Sequence, residues 1–213
     1  MFTRLFHYYW NLAVRQKQWL RLVTSLFCIS IISGAVSYGI IPDLQNQLAD
    51  MFKEIVGDTF TFDFAMVLKI FVNNITSALL MMFGGFIFGL IPLFAISLNG
   101  FIIGYVIMGS FFSFPTNIFQ TAYFSFATII PHGVFEIPAI LFSAALGIRF
   151  GTEWMHNSSA QSRSNIFKKT FIWALATIPI LAVILFIAAN IEVFVSSRIG
   201  YALVSGGGFY IQH

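Results

Sequence analysis

From Ile70 to Ile148 the chain runs for 79 residues with one charged side chain, Glu136. A carboxylate near the centre of a membrane helix costs about 2.5–3.5 kcal/mol on insertion scales. Glu136 is therefore expected to face other helices rather than lipid, and to be protonated or paired. His132 stands four residues earlier, one helical turn away on the same face. Arg149 lies 13 residues on, roughly 20 Å along a helix, too far to neutralise Glu136 from within it. Asn73, Asn74 and Asn99 add embedded amides on two neighbouring spans. Together these residues predict a polar intramembrane node: His132 and Glu136 from one helix, amides from two others.

Two chemistries suit such a node. It can handle a proton or substrate where Pro131, Gly133 and Pro138 break the helix and unwound backbone lines a cavity. Or it can be a structural bolt, with amides and a neutral acid cross-linking helices. One acid and one histidine are a sparse kit, which favours the bolt. For a metal, His132 and Glu136 supply two ligands at i, i+4, and catalytic zinc needs three. His7, His156 and His213 sit at or beyond the membrane edges, and no HExxH occurs. The sequence also lacks GxSxG, and Cys28 has no nearby base. No catalytic residue, metal or cofactor is assigned, and the chain is expected not to be an enzyme.

The elements that must hold this node follow from composition. Hydrophobic residues make up 58% of the 213 and charged residues 9%, against roughly 25% charged in a soluble domain. So few charges cannot clothe a soluble surface, so the expected solvent is lipid. At about 20 residues per span the length allows at most about six crossings in one domain. A net charge of +3 is spread along membrane edges rather than gathered in one patch, so no nucleic-acid partner is expected. The single cysteine forbids an intrachain disulfide.

Apolar runs and breakers place five spans at about 22–41, 66–90, 97–114, 118–150 and 171–189. The fourth would measure about 50 Å as a straight helix, longer than the bilayer core of about 30 Å, so a tilt, bend or break near Pro131-His132-Gly133 is expected. Residues 1–21 carry a charge of +4, 42–66 carry −4 and 149–170 carry +3. The positive-inside rule then gives a multi-pass protein of the cell membrane, N-terminus cytoplasmic and C-terminus outside. Residues 1–20 form a basic amphipathic stripe of Phe2, Leu5, Phe6, Tyr9, Trp10 and Ala13. Leu44, Leu48, Met51, Phe52 and Ile55 form a second amphipathic stripe after span 1. A cleavable signal is not expected, because the first apolar run of about 20 residues exceeds a signal core. Residues 196–213, ending in a Gly-rich run, read as a flexible tail.

Small residues recur at four-residue spacing: Gly85 with Gly89, Gly100 with Gly104, and Gly147 with Gly151. Such ladders let helix backbones approach closely, and together they predict a tight bundle.

In order and spacing, the Asn73-Asn74 pair, Gly84-Gly85-xxx-Gly89, Asn99-Gly100-xxx-Gly104, Pro131-His132-Gly133-xx-Glu136-x-Pro138, and Gly147 with Arg149 and Gly151 resemble the stage II sporulation protein M family. The resemblance covers roughly residues 65–155 of a single membrane domain spanning 1–213. It implies a bacterial or archaeal multi-spanning membrane protein. Sporulating members hold a peptidoglycan-degrading complex at the septal membrane during engulfment, and others accompany circular bacteriocin production. The family has no established catalytic residues. The expected function is therefore a non-catalytic scaffold that positions membrane or wall-active protein partners in the bilayer, with a homo-oligomer compatible. The alternative is a small transporter or export component using Glu136 at a broken helix.

Overall fold

A computed structural model describes residues 14, 16–41, 44–48, 50, 60–113, 118–153 and 163–205. Five of its helices are long and apolar enough to cross a bilayer: α1 (Lys17–Ser37), α2 (Phe64–Gly84), α3 (Leu90–Ser113), α4 (Ile118–Thr152) and α5 (Arg163–Ile191). A π-helical turn, Glu192–Ser196, carries α5 into a short α6 (Ser197–Ser205). No strand occurs among the described residues. The all-α bundle of five spans expected from the sequence is the observed fold.

Local chemistry sets the helix ends. The Asp63 carboxylate accepts the Met66 backbone N–H at 2.8 Å and starts α2, as an N-cap does for otherwise orphaned donors. α2 stops at Gly84, and residues 85–89 reverse the chain through two left-handed positions, Phe88 at φ 52° and Gly89 at φ 73°. The expected second span, which ran to residue 90, therefore ends six residues earlier. Pro92 does not break a helix; it occupies the first turn of α3, where a missing N–H costs nothing.

α4 is the hub. It touches α1, α2, α3 and α5 as well as the π turn and α6, while α1 packs most extensively along α3. One face of α4, through Ile140, Ala144, Ala145 and Ile148, closes a core with Val23 and Phe27 of α1, Met81 of α2 and Ile96 of α3. Another, through Ala139 and Leu146, joins Ala78 and Met82 of α2 to Ala174, Leu181 and Leu185 of α5. The outward faces stay apolar, with Ile29, Ile32, Phe94, Phe119 and Ile172 all exposed. Water would penalise such a surface, and lipid does not.

Glycine sets the closest approaches. A Cβ on Gly34 would overlap the Phe101 carbonyl, and one on Gly104 would overlap that of Ile31; on Gly100 it would lie 2.7 Å from the Phe27 carbonyl. These three sites lay the backbones of α1 and α3 against each other. Gly147 and Gly151 of α4 meet the Met81 and Gly85 carbonyls, and Gly89 packs on Ile148. Gly85 and Gly89 thus belong to the α2–α3 turn, which α4 buries, rather than to a transmembrane ladder.

The expected break in α4 is absent: the helix is continuous from Ile118 to Thr152, with Pro131 and Pro138 inside it. Each proline removes one backbone donor, leaving the carbonyls of Ala127 and Val134 without their i+4 partners. Unwinding further would strand more polar backbone in hydrocarbon, so the helix runs through. The interruption lies instead in the π turn after α5. The last helical run also continues through the residues expected as tail, from Ser196 to Ser205. Of the two amphipathic stripes, 1–13 and 51–59 lie outside the described residues; 44–48 are helical, with Leu44 and Leu48 less exposed than Gln45, Asn46 and Gln47.

Candidate functional site

α4 carries His132 and Glu136 on one face, as their i, i+4 spacing requires. Both are half-buried. The π turn brings a third group to them, Glu192, also half-buried. One donor atom each from His132, Glu136 and Glu192 lies within 4.8 Å of the others. Asn74 of α2 completes the surroundings beside Glu136.

Two of the node residues lie near the middle of the helices that carry them. Asn74 is the central residue of the 21-residue α2, a helix about 31 Å long that matches the bilayer core. Glu136 lies near the middle of α4, 18 residues from its start and 16 from its end.

Two polar atoms define the edges of the node. Ser196, buried in the π turn, lies 3.1 Å from His132 Nδ1 through its Oγ. Asn74 is 8% exposed. Its Oδ1 accepts a long bond of 3.4 Å from Asn73 Nδ2, while its Nδ2 is buried without a hydrogen-bond partner. The amide faces the Glu136 carboxylate, so Asn74 supplies a polar group to the node from a second helix.

The structure separates the remaining predicted residues from this cluster. Asn73 is exposed and reaches the node only through Asn74. Asn99 is not a node member: its Nδ2 donates to the Ala95 carbonyl of its own helix at 2.9 Å. A short amide side chain bonds back to the preceding turn more readily than across a helix gap. Pro131 is half-buried, Gly133 buried and Pro138 exposed, all within intact helix. Arg149, also kept apart from Glu136, forks onto Glu153, with Nη2 to Oε1 at 2.8 Å, and its guanidinium stacks over Trp173 at 4.6 Å.

Glu192 is the residue that sequence reasoning missed. Ending the fifth span near Ala189 put this acid outside the membrane, whereas the apolar helical run extends to Leu203. The apolar segment 193–195 and the residues Ile199, Tyr201, Ala202 and Leu203 after Glu192 carried the signal.

The Ser196–His132 contact has the look of a nucleophile and its base. The donor that would hold an oxyanion, the N–H of the following residue, is spent: Ser197 N–H bonds to the Glu192 carbonyl. Three donor groups, one imidazole and two carboxylates, are the set available to a metal ion.

The profile of the family described as Stage II sporulation protein M matches residues 23–197. Two similar proteins come from Methanocaldococcus jannaschii, both uncharacterized. Uncharacterized protein MJ0793 is 29% identical over 187 residues, covering 86% of this chain and 97% of its own length. Uncharacterized protein MJ0706 is 30% identical over 129 residues, covering 59% of this chain and 53% of its own length. No solved structure matches. With the profile running from α1 to the start of α6 and taking in every residue of the node, the chain belongs to the Stage II sporulation protein M family.

Proposed function

We propose that this chain is a non-enzymatic transport component of the membrane, in which the polar node binds and releases a proton or cation as a solute crosses. The observation that carries this reading is the convergence of Glu136 and Glu192 with His132 within the apolar helical bundle. A bolt needs hydrogen bonds; it does not need two acids, each expensive in hydrocarbon. Intramembrane acids and histidines of this kind mark ion pathways and proton relays. The π turn that presents Glu192 is a helix distortion often found where function requires a side chain to be re-aimed.

The test is reconstitution in proteoliposomes with an imposed proton or cation gradient and a dye reporting flux. Flux is expected in the wild type and is lost in Glu136→Gln and Glu192→Gln, with melting temperatures in detergent unchanged. Both substitutions keep the shape and remove the charge. Absence of ion, lipid or peptide flux under every gradient would sink the reading.

The scaffold is the second reading, favoured by the His132–Ser196 contact, which ties α4 to the π turn after α5. On that reading the node only pins helices, the working surfaces face membrane or wall-active partners, and both glutamine variants complement in the native host.

A further inference from the structure

The node brings two acids together, Glu136 and Glu192. Lys69, on the same helix as Asn74, is exposed and acts on Asp63 at the start of that helix. Arg149, the single basic residue of α4, is committed to Glu153 and Trp173. Arg198, six residues beyond Glu192, lies over the rings of Phe62 and Phe194. Two neighbouring carboxylates in such a place are held together by protons or by a shared cation.

Two further features distinguish a cation. Asn74 is more than nine-tenths buried, and its amide is directed at the Glu136 carboxylate with no partner at close hydrogen-bond distance from Nδ2. Turning that amide over places its carbonyl oxygen, a ligand, where Nδ2 now sits. On the other side, Ser196 engages His132 Nδ1. A metal-binding histidine is commonly oriented in this way through its second ring nitrogen, and with Nδ1–H donating to Ser196 Oγ the lone pair lies on Nε2.

We propose that His132, Glu136 and Glu192, completed by the side-chain carbonyl of Asn74, bind one divalent transition-metal cation of the zinc and manganese class. Imidazole together with carboxylate selects this class over magnesium and calcium, which take oxygen ligands. The two carboxylates match the charge of the ion, which displaces any proton they hold into the solvent. Donors around tetrahedral zinc stand about 3.4 Å apart for bonds of roughly 2.1 Å. The observed spread within 4.8 Å leaves a contraction of at most about 1.4 Å between donors. The ligands come from α2, α4 and the π turn, so an ion joins three separate segments. This inference names the occupant of the site on which the transport reading rests.

The experiment uses the full chain, purified in detergent without a histidine tag, with His7, His156 and His213 changed to Gln so that His132 is the sole histidine. Equilibrium dialysis against Zn2+ and Mn2+ is expected to give one ion per chain, with at least about 10-fold weaker binding in Glu136→Gln and in Glu192→Gln. Co2+ is expected to show visible absorption of a site with nitrogen ligation, lost in His132→Gln. Zn2+ should raise the melting temperature of the wild type, a readout that needs no variant. Unchanged stoichiometric binding in the Glu136→Gln/Glu192→Gln pair overturns the proposal. So does an absence of binding in the wild type, and proton flux persisting in that case leaves the transport reading intact. Tight binding without flux supports the metal site and removes the transport reading instead.

Discussion

Gly85 and Gly147 meet backbone to backbone. A Cβ on Gly85 would overlap the Gly147 carbonyl, and a Cβ on Gly147 would overlap the carbonyl of Met81, one turn before Gly85. Through this contact the hub helix α4 seats the α2–α3 turn, and with it fixes how α2, which carries Asn74, stands against the face that carries His132 and Glu136.

Gly147→Ala should therefore destabilise the protein by about 1–3 kcal/mol, the usual cost of forcing extra volume into a packed contact. Gly39→Ala is the control, because a Cβ there meets nothing within 4 Å. Thermal unfolding in detergent should separate the two; equal melting temperatures would show that α4 does not hold the turn this tightly.

Arg149→Lys should also destabilise, although the charge is kept. Lysine cannot reproduce the planar fork onto Glu153 or the stack on Trp173. Because the Glu153 side chain is 38% exposed, solvent screens the pair, and a loss of about 1–2 kcal/mol is expected rather than the full cost of a buried pair. A melting temperature equal to the wild type's would argue that the pair is incidental.

The Asp63 cap gives a pH signature. The Met66 N–H, then the Thr61 side chain, hold its carboxyl below the ordinary value of 3.8. A depressed acid stabilises the fold above its unfolded pKa, and that contribution fades as pH falls through the lower, folded value. Asp63→Ala should melt below the wild type near pH 7, and the difference should shrink once the pH drops under about 4. A gap that is constant from pH 7 to pH 3 would rule out the ionised cap.

Asn74 and Asn99 should respond differently to alanine. Asn99 spends its amide on its own helix, so Asn99→Ala should leave proteoliposome flux and stability nearly unchanged. Asn74→Ala should lower flux without unfolding the chain, since its amide makes only long hydrogen bonds in the resting structure. Equal effects of the two substitutions on flux would place Asn74 outside the working site.

Orientation is open to a chemical test. With Cys28 replaced by Ser, a cysteine at Asp50 should react with an impermeant thiol reagent in intact cells, as the acidic segment belongs outside under the positive-inside rule. An unreactive Asp50→Cys would reverse the topology and put the N-terminus outside.

Composition and charge position by themselves determined the five helices long and apolar enough to cross a bilayer and the all-α class, because hydrocarbon excludes charge and forces backbone hydrogen bonds to close within each segment. The i, i+4 spacing of His132 and Glu136 likewise put both on one face of whatever helix bore them. Proline, by contrast, was a poor guide in this setting: Pro131 and Pro138 signal a break in water, and in lipid the cost of unwinding kept α4 continuous. Only the tertiary structure decided which other groups reach that face. Asn74 and Asn99 are equally embedded amides in sequence, yet one faces Glu136 and the other bonds back to its own helix. Glu192, 56 residues beyond Glu136, joins it because α5 packs along α4 and then re-aims through a π turn. Contacts at that separation depend on how helices cross and rotate, which close glycine contacts set and hydropathy along one strand of sequence does not record.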